Sequence, residues 1–355
     1  MKILFLPKYT RTGASSRLRT YQYIPLWEKA GHQCTVAPFF NDIYLEELYN
    51  KRKISKGNVW KCFWRRFGWV LRARQFDLVI LEKELFPFFP AWLEKFWAGM
   101  GVRYIVDYDD AIFHNYDQHP QARIRKLLGK KIDRVMKNSF MVWAGNSYLA
   151  RRASVAGAKN IKILPTSVDL NRYDPAHLNG KREIKIGWIG SPTTLRYLKG
   201  ILPALEQLKE KHGFSLTIIA NGEGVGFSGK EEKLVWEEQK EADYLSALDI
   251  GIMPLKHSPW EQGKCAYKLI QYMATGLPVV ASPIGMNKTV VQPGINGFLA
   301  GSKEEWVDAL STLMEDKTLR QKMGKAGRKM VEEDYTLAKN WEKIQGWMVE
   351  LSGEA

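Results

Sequence analysis

Trp260–Pro283 reads WEQGKCAYKLIQYMATGLPVVASP, and the fold is decided on this stretch. It opens polar and continues as a run in which Tyr267, Ile270, Met273 and Ala274 share one helical face. It then breaks at Gly276 and Pro278 and ends in the apolar run PVVAS. The sequence therefore spells loop, helix, turn and buried parallel strand. In an open α/β sheet, ligands bind at loops beyond the carboxyl ends of strands, which makes a polar helix start here a candidate site. Its polar groups are Lys264, Lys268 and Gln271. Lys268, one turn into the helix, adds its charge to the positive end of the helix dipole, a combination that suits a diphosphate. A solvated lysine on a core helix has the same spacing, so spacing alone leaves both readings open.

The same alternation extends outward in both directions. Upstream, ILFLP, QCTVAPF, DLVILEKE, RYIVDYDD, MVWAGN and IKILP are strands separated by helical runs, the first helix spanning about Leu18 to Ala30. A second series follows: IKIGWIG, a helix from about Leu195 to His212, LTIIAN, a short segment around LVWEE, the helix EADYLSAL, DIGIMP and PVVAS. Strands alternating with helices mean parallel sheets covered on both faces, a Rossmann-like arrangement repeated twice. Between the series, periodicity is lost and Pro, Asn and Gly accumulate, which places a linker near Asp174 to Lys181.

The net charge is +15, and the excess is confined to the first half. Residues 1–176 carry 30 Lys and Arg against 15 Asp and Glu; the remainder carries 23 of each. A half-chain this basic implies an anionic partner: a membrane surface, a polyphosphate-linked substrate or a nucleic acid. Cys34, Cys62 and Cys265 are scattered without metal spacing and fit structural thiols in a reducing compartment. MKILFLP is too short for a signal peptide, and no run of about 18 apolar residues occurs. The expected location is the cytoplasm, with peripheral contact at the inner face of the plasma membrane through the basic half.

That contact has a candidate. Lys51–Arg74 interleaves nine basic residues with Trp60, Phe63, Trp64, Phe67 and Trp69. Trp60, Trp64, Phe67 and Leu71 share a helical face, with Lys61, Arg65 and Arg72 elsewhere. Such a helix lies in a membrane interface, each basic residue adding about 1 kcal/mol near anionic lipid. An ordinary sheet-covering helix would instead turn the aromatic face to the core. The aromatic stretch Glu84–Trp97 is read as packing at the domain edge, with an acceptor or lipid pocket as the alternative.

KLIQYMATGLPVVAS resembles the donor-binding segment of GT-B glycosyltransferases of the family-4, or group 1, type. PGINGFLAG, from Pro293 to Gly301, is similar to that family's usual continuation, and VDYDDAIF to a sub-group of it. The resemblance implies an α/β GT-B fold, two Rossmann-like domains facing across a cleft. It assigns residues 1–176 to an acceptor domain, joined by a returning C-terminal helix over 336–355, and 182–335 to a nucleotide-sugar donor domain. The implied enzyme moves a sugar from a nucleotide donor of unassigned base to a lipid-linked or glycan hydroxyl in cell-surface glycan synthesis. It retains configuration and requires neither a cofactor nor a metal.

The loop Thr12–Arg17 follows the first strand, and its Gly13 amides, hydroxyls and arginine suit an anion. By resemblance Gly13 approaches the donor, and Ser15, Ser16 and Arg17 the acceptor; a capped helix start is the plainer reading. Asp107, Asp109 and Asp110 end a strand, with His114 close behind, where a general base or hydroxyl-binding group belongs. Many relatives place a histidine where Asp109 stands, so the catalytic set is written as Asp109, Asp110, His114 and Lys268. Capping by Asp110 is the structural alternative. Gly190, Ser191, Thr194 and Arg196 form a second helix-start anion site, or a hydroxyl-capped helix. Gln271 stands at the second of the family's two glutamates, and Glu261 lies two residues before the first. Trp236 is placed near the nucleobase by the fold. Two further readings are a GT-B sugar-nucleotide epimerase and a non-catalytic lipid- or nucleic-acid-binding module. No nucleic-acid motif occurs, so no nucleic acid is expected as partner.

Overall fold

A computed structural model describes residues 1–50, 52–174 and 183–352. The chain falls into two compact units: Met1–Thr166 with Gln262–Cys265, and Ser167–Glu261 with the residues from Ala266 onward. Each is built on a six-stranded sheet whose pairings are all parallel.

In the first unit β1 (Lys2–Leu6), β2 (Gln33–Val36), β3 (Leu78–Glu82), β4 (Tyr104–Tyr108), β5 (Met141–Ala144) and β6 (Ile161–Ile163) lie in the order β2-β1-β3-β4-β5-β6. Every residue of β3, β4 and β5 is buried, as strands covered on both faces require. The chain leaves β1 toward one edge and returns as β3 on its other side. The carboxyl ends of β1 and β3 therefore flank the switch point at which α/β sheets open a crevice.

In the second unit β7 (Ile184–Ile189), β8 (Phe214–Ile219), β9 (Lys230–Leu234), β10 (Ile250–Met253), β11 (Val279–Ala281) and β12 (Gly297–Leu299) lie in the order β12-β11-β10-β7-β8-β9. Here the switch point falls between β7 and β10. The core joins these strands to the helices Leu202–Lys211 and Lys303–Glu315 through Trp188, Leu205, Leu208, Trp306 and Leu310.

The strand β9, KEEKL, is missed by periodicity because it is an edge strand held by charge. Lys185 Nζ lies 2.8 Å from Glu232 Oε2, and Thr217 Oγ1 donates to the same oxygen at 3.2 Å. A charged edge also discourages pairing with other chains. The single helix expected over Leu18–Ala30 is instead a short turn, a π-helical turn at Arg17–Tyr21 and a helix at Ile24–Lys29 that starts around Pro25. π-turns inside helices mark functional sites more often than chance. The helix expected over Leu195–His212 is divided at Ile201, before Pro203.

The segment Leu337–Ser352 is helical and counted with the second unit, where the sequence reading sends it to the first. It is anchored by Leu337 N–H donating to Val168 O at 2.8 Å and Val168 N–H to Tyr335 O at 3.0 Å. Apart from Asp174, the expected linker lies outside the described residues. Among the described residues, no helix is long and apolar enough to cross a membrane.

Candidate functional site

The switch point of the first unit gathers Ser15, Ser16, Glu82, Lys83 and Asp109. Ser16 Oγ donates to Glu82 Oε2 at 2.5 Å and accepts from Tyr9 N–H at 3.0 Å. Ser15 Oγ lies 3.0 Å from Glu82 Oε1 and also bonds to Asp109 Oδ2. Lys83 Nζ donates to Ser15 Oγ at 3.0 Å and stands 3.0 Å from Asp109 Oδ1 and 3.5 Å from Glu82 Oε1. Lys83 has φ +70°, a left-handed conformation that side-chain-bearing residues rarely adopt and that clusters at functional sites. Sequence reasoning placed DLVILEKE as a strand and missed Glu82 and Lys83; charges at the carboxyl end of a buried strand were the available signal.

The three aspartates have separate tasks. Asp107 is bound by Arg19, whose Nε donates to Oδ2 at 2.8 Å and whose Nη1 donates to Leu164 O at 2.8 Å. This is a buried structural pair. Burial raises the Asp109 carboxyl, but Lys83, the Ser15 hydroxyl and Arg19 outweigh it and bring it down to about 2. Burial also raises Asp110, which Lys264 Nζ at 3.6 Å offsets only in part, and the Asp109 charge raises it further. Neighbouring carboxyls driven in opposite directions are the pattern of divided acid and base roles.

His114 is braced rather than presented, with Nδ1 2.8 Å from Asp117 Oδ1 and Nε2 2.8 Å from the Tyr148 hydroxyl. Gly13 N–H donates to Thr10 O at 3.0 Å and closes the turn before Ser15, and Arg17 is buried at the start of the π-turn. Lys264 comes from the start of the deciding stretch, yet belongs to the first unit. Asn146 Nδ2 donates to Gly263 O at 3.0 Å and Lys264 O at 3.1 Å, and Cys265 Sγ to Asp109 O at 3.1 Å. The thiol is pushed up first by burial, so it is held as a neutral donor. Among the described residues, no three His, Cys, Asp or Glu gather as a metal set.

In the second unit the helix Tyr267–Ala274 begins after Ala266, whose φ is +52° and which supplies no side-chain cap. Its amino-terminal amides therefore have no side-chain acceptor on the cap residue, and Leu269 N–H donates to Ala266 O at 2.9 Å. Tyr272 fixes the helix to the sheet: its hydroxyl accepts from Ile189 N–H at 2.9 Å and donates to Ile252 O at 3.3 Å. Arg328 donates to Ala274 O at the other end, a cation on the negative pole of the helix. Lys268 Nζ then lies 4.4 Å from the centre of the buried Trp188 ring. Beside it is Gly190, at the carboxyl end of β7, where a Cβ would come within 2.5 Å of Trp188 Cζ2 and 2.8 Å of Lys268 Nζ. Gly190→Ala is expected to displace Lys268 and to cost about 1–3 kcal/mol by overpacking. Urea unfolding measures the cost, and a variant as stable as wild type would show that the pocket yields.

Ser191 N–H donates to Thr194 Oγ1 at 3.1 Å and Ser191 Oγ meets Thr193 Oγ1 at 2.9 Å, so this loop is tied by its own hydroxyls. Arg196 covers the Tyr197 ring at 5.0 Å and donates to its hydroxyl at 3.1 Å; that hydroxyl bonds to buried Glu261 at 2.5 Å. Gln271 and Trp236 meet on Glu241, which sequence reasoning missed. Gln271 Nε2 donates to Glu241 Oε1 at 2.7 Å and to the Tyr173 hydroxyl at 3.1 Å, and Trp236 Nε1 to Glu241 Oε2 at 2.7 Å. A carboxylate is thus present beside Gln271, contributed by another helix; its presence follows from tertiary packing and not from any local motif.

Residues 183–316 match the model of a family described as Glycosyl transferases group 1. A relative described as an uncharacterized glycosyltransferase, from Methanocaldococcus jannaschii, is 28% identical over 269 residues, covering 68% of this chain and 62% of its own. Sucrose-phosphate synthase from Thermosynechococcus elongatus has a similar structure, with a TM-score of 0.74, 13% identity and full coverage of both chains. Anabaena HepE in complex with UDP-glucose matches with a TM-score of 0.68 and 15% identity, over 99% of this chain and 100% of its own. The fold is GT-B, as the sequence implies. The chain spans 38% to 62% of the length of the curated relatives it matches.

Proposed function

We propose, from the membership of residues 183–316 in the glycosyl transferases group 1 family, that the chain transfers a sugar from a nucleotide donor to a lipid-linked or glycan hydroxyl. The observation that carries this reading is Lys268, in the first turn of an uncapped helix and beside Gly190 at the switch point of the second sheet. A fixed ammonium and helix amides at one place are complementary to a diphosphate and stabilise the charge that develops as it leaves. Ser191 and Thr194, on the loop after β7, and Arg196, in the helix Leu195–Gly200 that follows it, extend the phosphate-facing set. Lys264, 3.6 Å from Asp110 within the first unit, is proposed for the donor on the family resemblance alone. Gln271 and Trp236 act through Glu241, shaping the floor for ribose and base.

The first unit holds the acceptor in this reading. Lys83 keeps Asp109 as a fixed anion, and Ser15, Ser16 and Arg17 line the turn beside it. Asp110, pushed up by burial, is the better proton acceptor for an entering hydroxyl. His114, with both nitrogens engaged, positions this loop. No protein nucleophile is required if the acceptor enters on the face the diphosphate leaves, so configuration is retained. The basic half suits an anionic, lipid-linked acceptor of cell-surface glycan synthesis, handled on the cytoplasmic side.

Thermal unfolding of the full chain against UDP, GDP, ADP, CMP, dTDP and their sugars tests the donor. At a ligand concentration of about 100 times Kd, stabilisation of about 2.7 kcal/mol is expected, seen as a raised midpoint. Uridine nucleotides lead the screen because HepE, of the same fold, is found with UDP-glucose. No shift with any nucleotide would overturn the proposal.

A further inference from the structure

The aromatic stripe of Lys56–Arg72 is not core. That helix buries Cys62, Arg66 and Val70, and turns Trp60, Trp64, Phe67 and Leu71 to solvent. Trp60 is 63% exposed and Trp64 69%. The helix Trp92–Gly99 repeats the arrangement, burying Trp97 while Trp92 and Phe96 stand 61% and 56% exposed. Trp97 Nε1 donates to Val70 O at 3.1 Å and joins the two helices. A ring cluster of Phe63, Phe86 and Phe89, with centroids 5.6 to 6.2 Å apart, fills the space beside them. Phe88, on the intervening loop, is 57% exposed and held at φ +59°. A bulky residue rarely adopts that conformation, and here its backbone N–H is fixed by the Tyr116 hydroxyl at 3.1 Å. Burial within this unit therefore does not account for these aromatic side chains. Monomeric soluble proteins seldom expose so many large aromatic side chains on neighbouring elements without using them.

Charge identifies the occupant. From Lys51 to Gln75 there is no Asp or Glu. From Phe86 to Met100 there is one, Glu94, and it is buried, accepting from Leu85 N–H at 3.1 Å. Lys61, Arg65 and Arg72 run along one flank of the stripe, and Lys95 lies on the second helix. A face offering only aromatic rings and cations, with tryptophans at its centre, has the chemistry of the boundary between headgroups and acyl chains. We propose that the exposed faces of Lys56–Arg72 and Trp92–Gly99, with the Phe86–Phe89 loop, form a docking surface for an anionic lipid bilayer. Trp60, Trp64 and Trp92 enter the interface, while the lysine and arginine heads stay with the phosphates. The surface is argued from exposure and charge and does not depend on the transferase reading, although the Phe86–Phe89 loop leaves the carboxyl end of β3 a few residues beyond Lys83.

Cosedimentation of the full chain with vesicles tests this. Wild type is expected to pellet with phosphatidylcholine vesicles containing phosphatidylglycerol, and to partition at least about tenfold less onto phosphatidylcholine alone. Trp60→Ser with Trp64→Ser should lower partitioning by about tenfold or more. Lys61→Glu with Arg72→Glu should remove the preference for anionic vesicles. Both pairs of sites are solvent-exposed, so circular dichroism and the unfolding midpoint should match wild type. Absence of wild-type binding, or equal binding by the tryptophan variant, overturns the proposal. So does a concentration-dependent dimer dispersed by Trp60→Ser with Trp64→Ser, which would assign the face to a second copy.

Discussion

Lys268→Ala is expected to lower turnover by about 10²- to 10³-fold, or about 2–4 kcal/mol of barrier, the loss typical of one preorganised charge-stabilising donor. The lysine stands 4.4 Å above the Trp188 ring and against Gly190, which confines its ammonium to a small volume. An ion held this way would not need to reorganise as a diphosphate departs beside it, which is the basis of the expected loss. Its loss should leave the fold nearly intact, since a cation–π contact contributes about 0.5–2 kcal/mol. Initial-rate kinetics with the nucleotide sugar found by thermal shift would separate the effects. Lower turnover with a smaller change in donor KM is the transition-state signature. Unchanged turnover would remove Lys268 from the reaction.

Lys83→Met should destabilise the first unit by about 3–5 kcal/mol, the range for breaking a buried ion pair by removing one partner. Methionine fills much of the lysine volume, so the loss reports charge rather than a cavity. Without the ammonium at 3.0 Å, Asp109 faces Glu82 across the Ser15 hydroxyl and loses its directly paired cation, leaving Arg19, which is bound to Asp107. The effect depends on pH, and its sign follows from Asp109. Its carboxyl is lowered to about 2 in the folded protein, beneath the ordinary value, so the stability it contributes is complete above about pH 4. That stability is lost as pH falls through about 2. The gap between wild type and Lys83→Met should therefore be widest near neutral pH and narrow below pH 4. Urea unfolding at several pH values measures it. A loss below about 1 kcal/mol at neutral pH would mean that the carboxylates are satisfied without Lys83.

Asp109 and Asp110 show why site chemistry is harder to read from sequence than fold. They are adjacent and chemically identical, yet one is drawn down by a lysine that precedes it by 26 positions and the other is pushed up beside a lysine 154 positions later. DxDD carries no mark of that division. Gln271 gives the same lesson. Read locally, it is a missing acid; in the structure it donates to Glu241, a carboxylate from a separate helix.

The sequence by itself determined the two parallel α/β units, because a strand buried on both faces must be continuously apolar and the helix after it must repeat at 3.6 residues. DLVILE, YIVDY and GLPVVAS satisfy this without reference to anything distant in the chain. It also determined the place of Lys268, since a strand, a turn and a helix start are local features. Tertiary structure alone decided which charges meet and which face of Lys56–Arg72 is covered. An aromatic stripe at helical spacing has the same periodicity whether it meets a core or water. Only the elements packed against it, here at Cys62, Arg66 and Val70, choose the side that is buried.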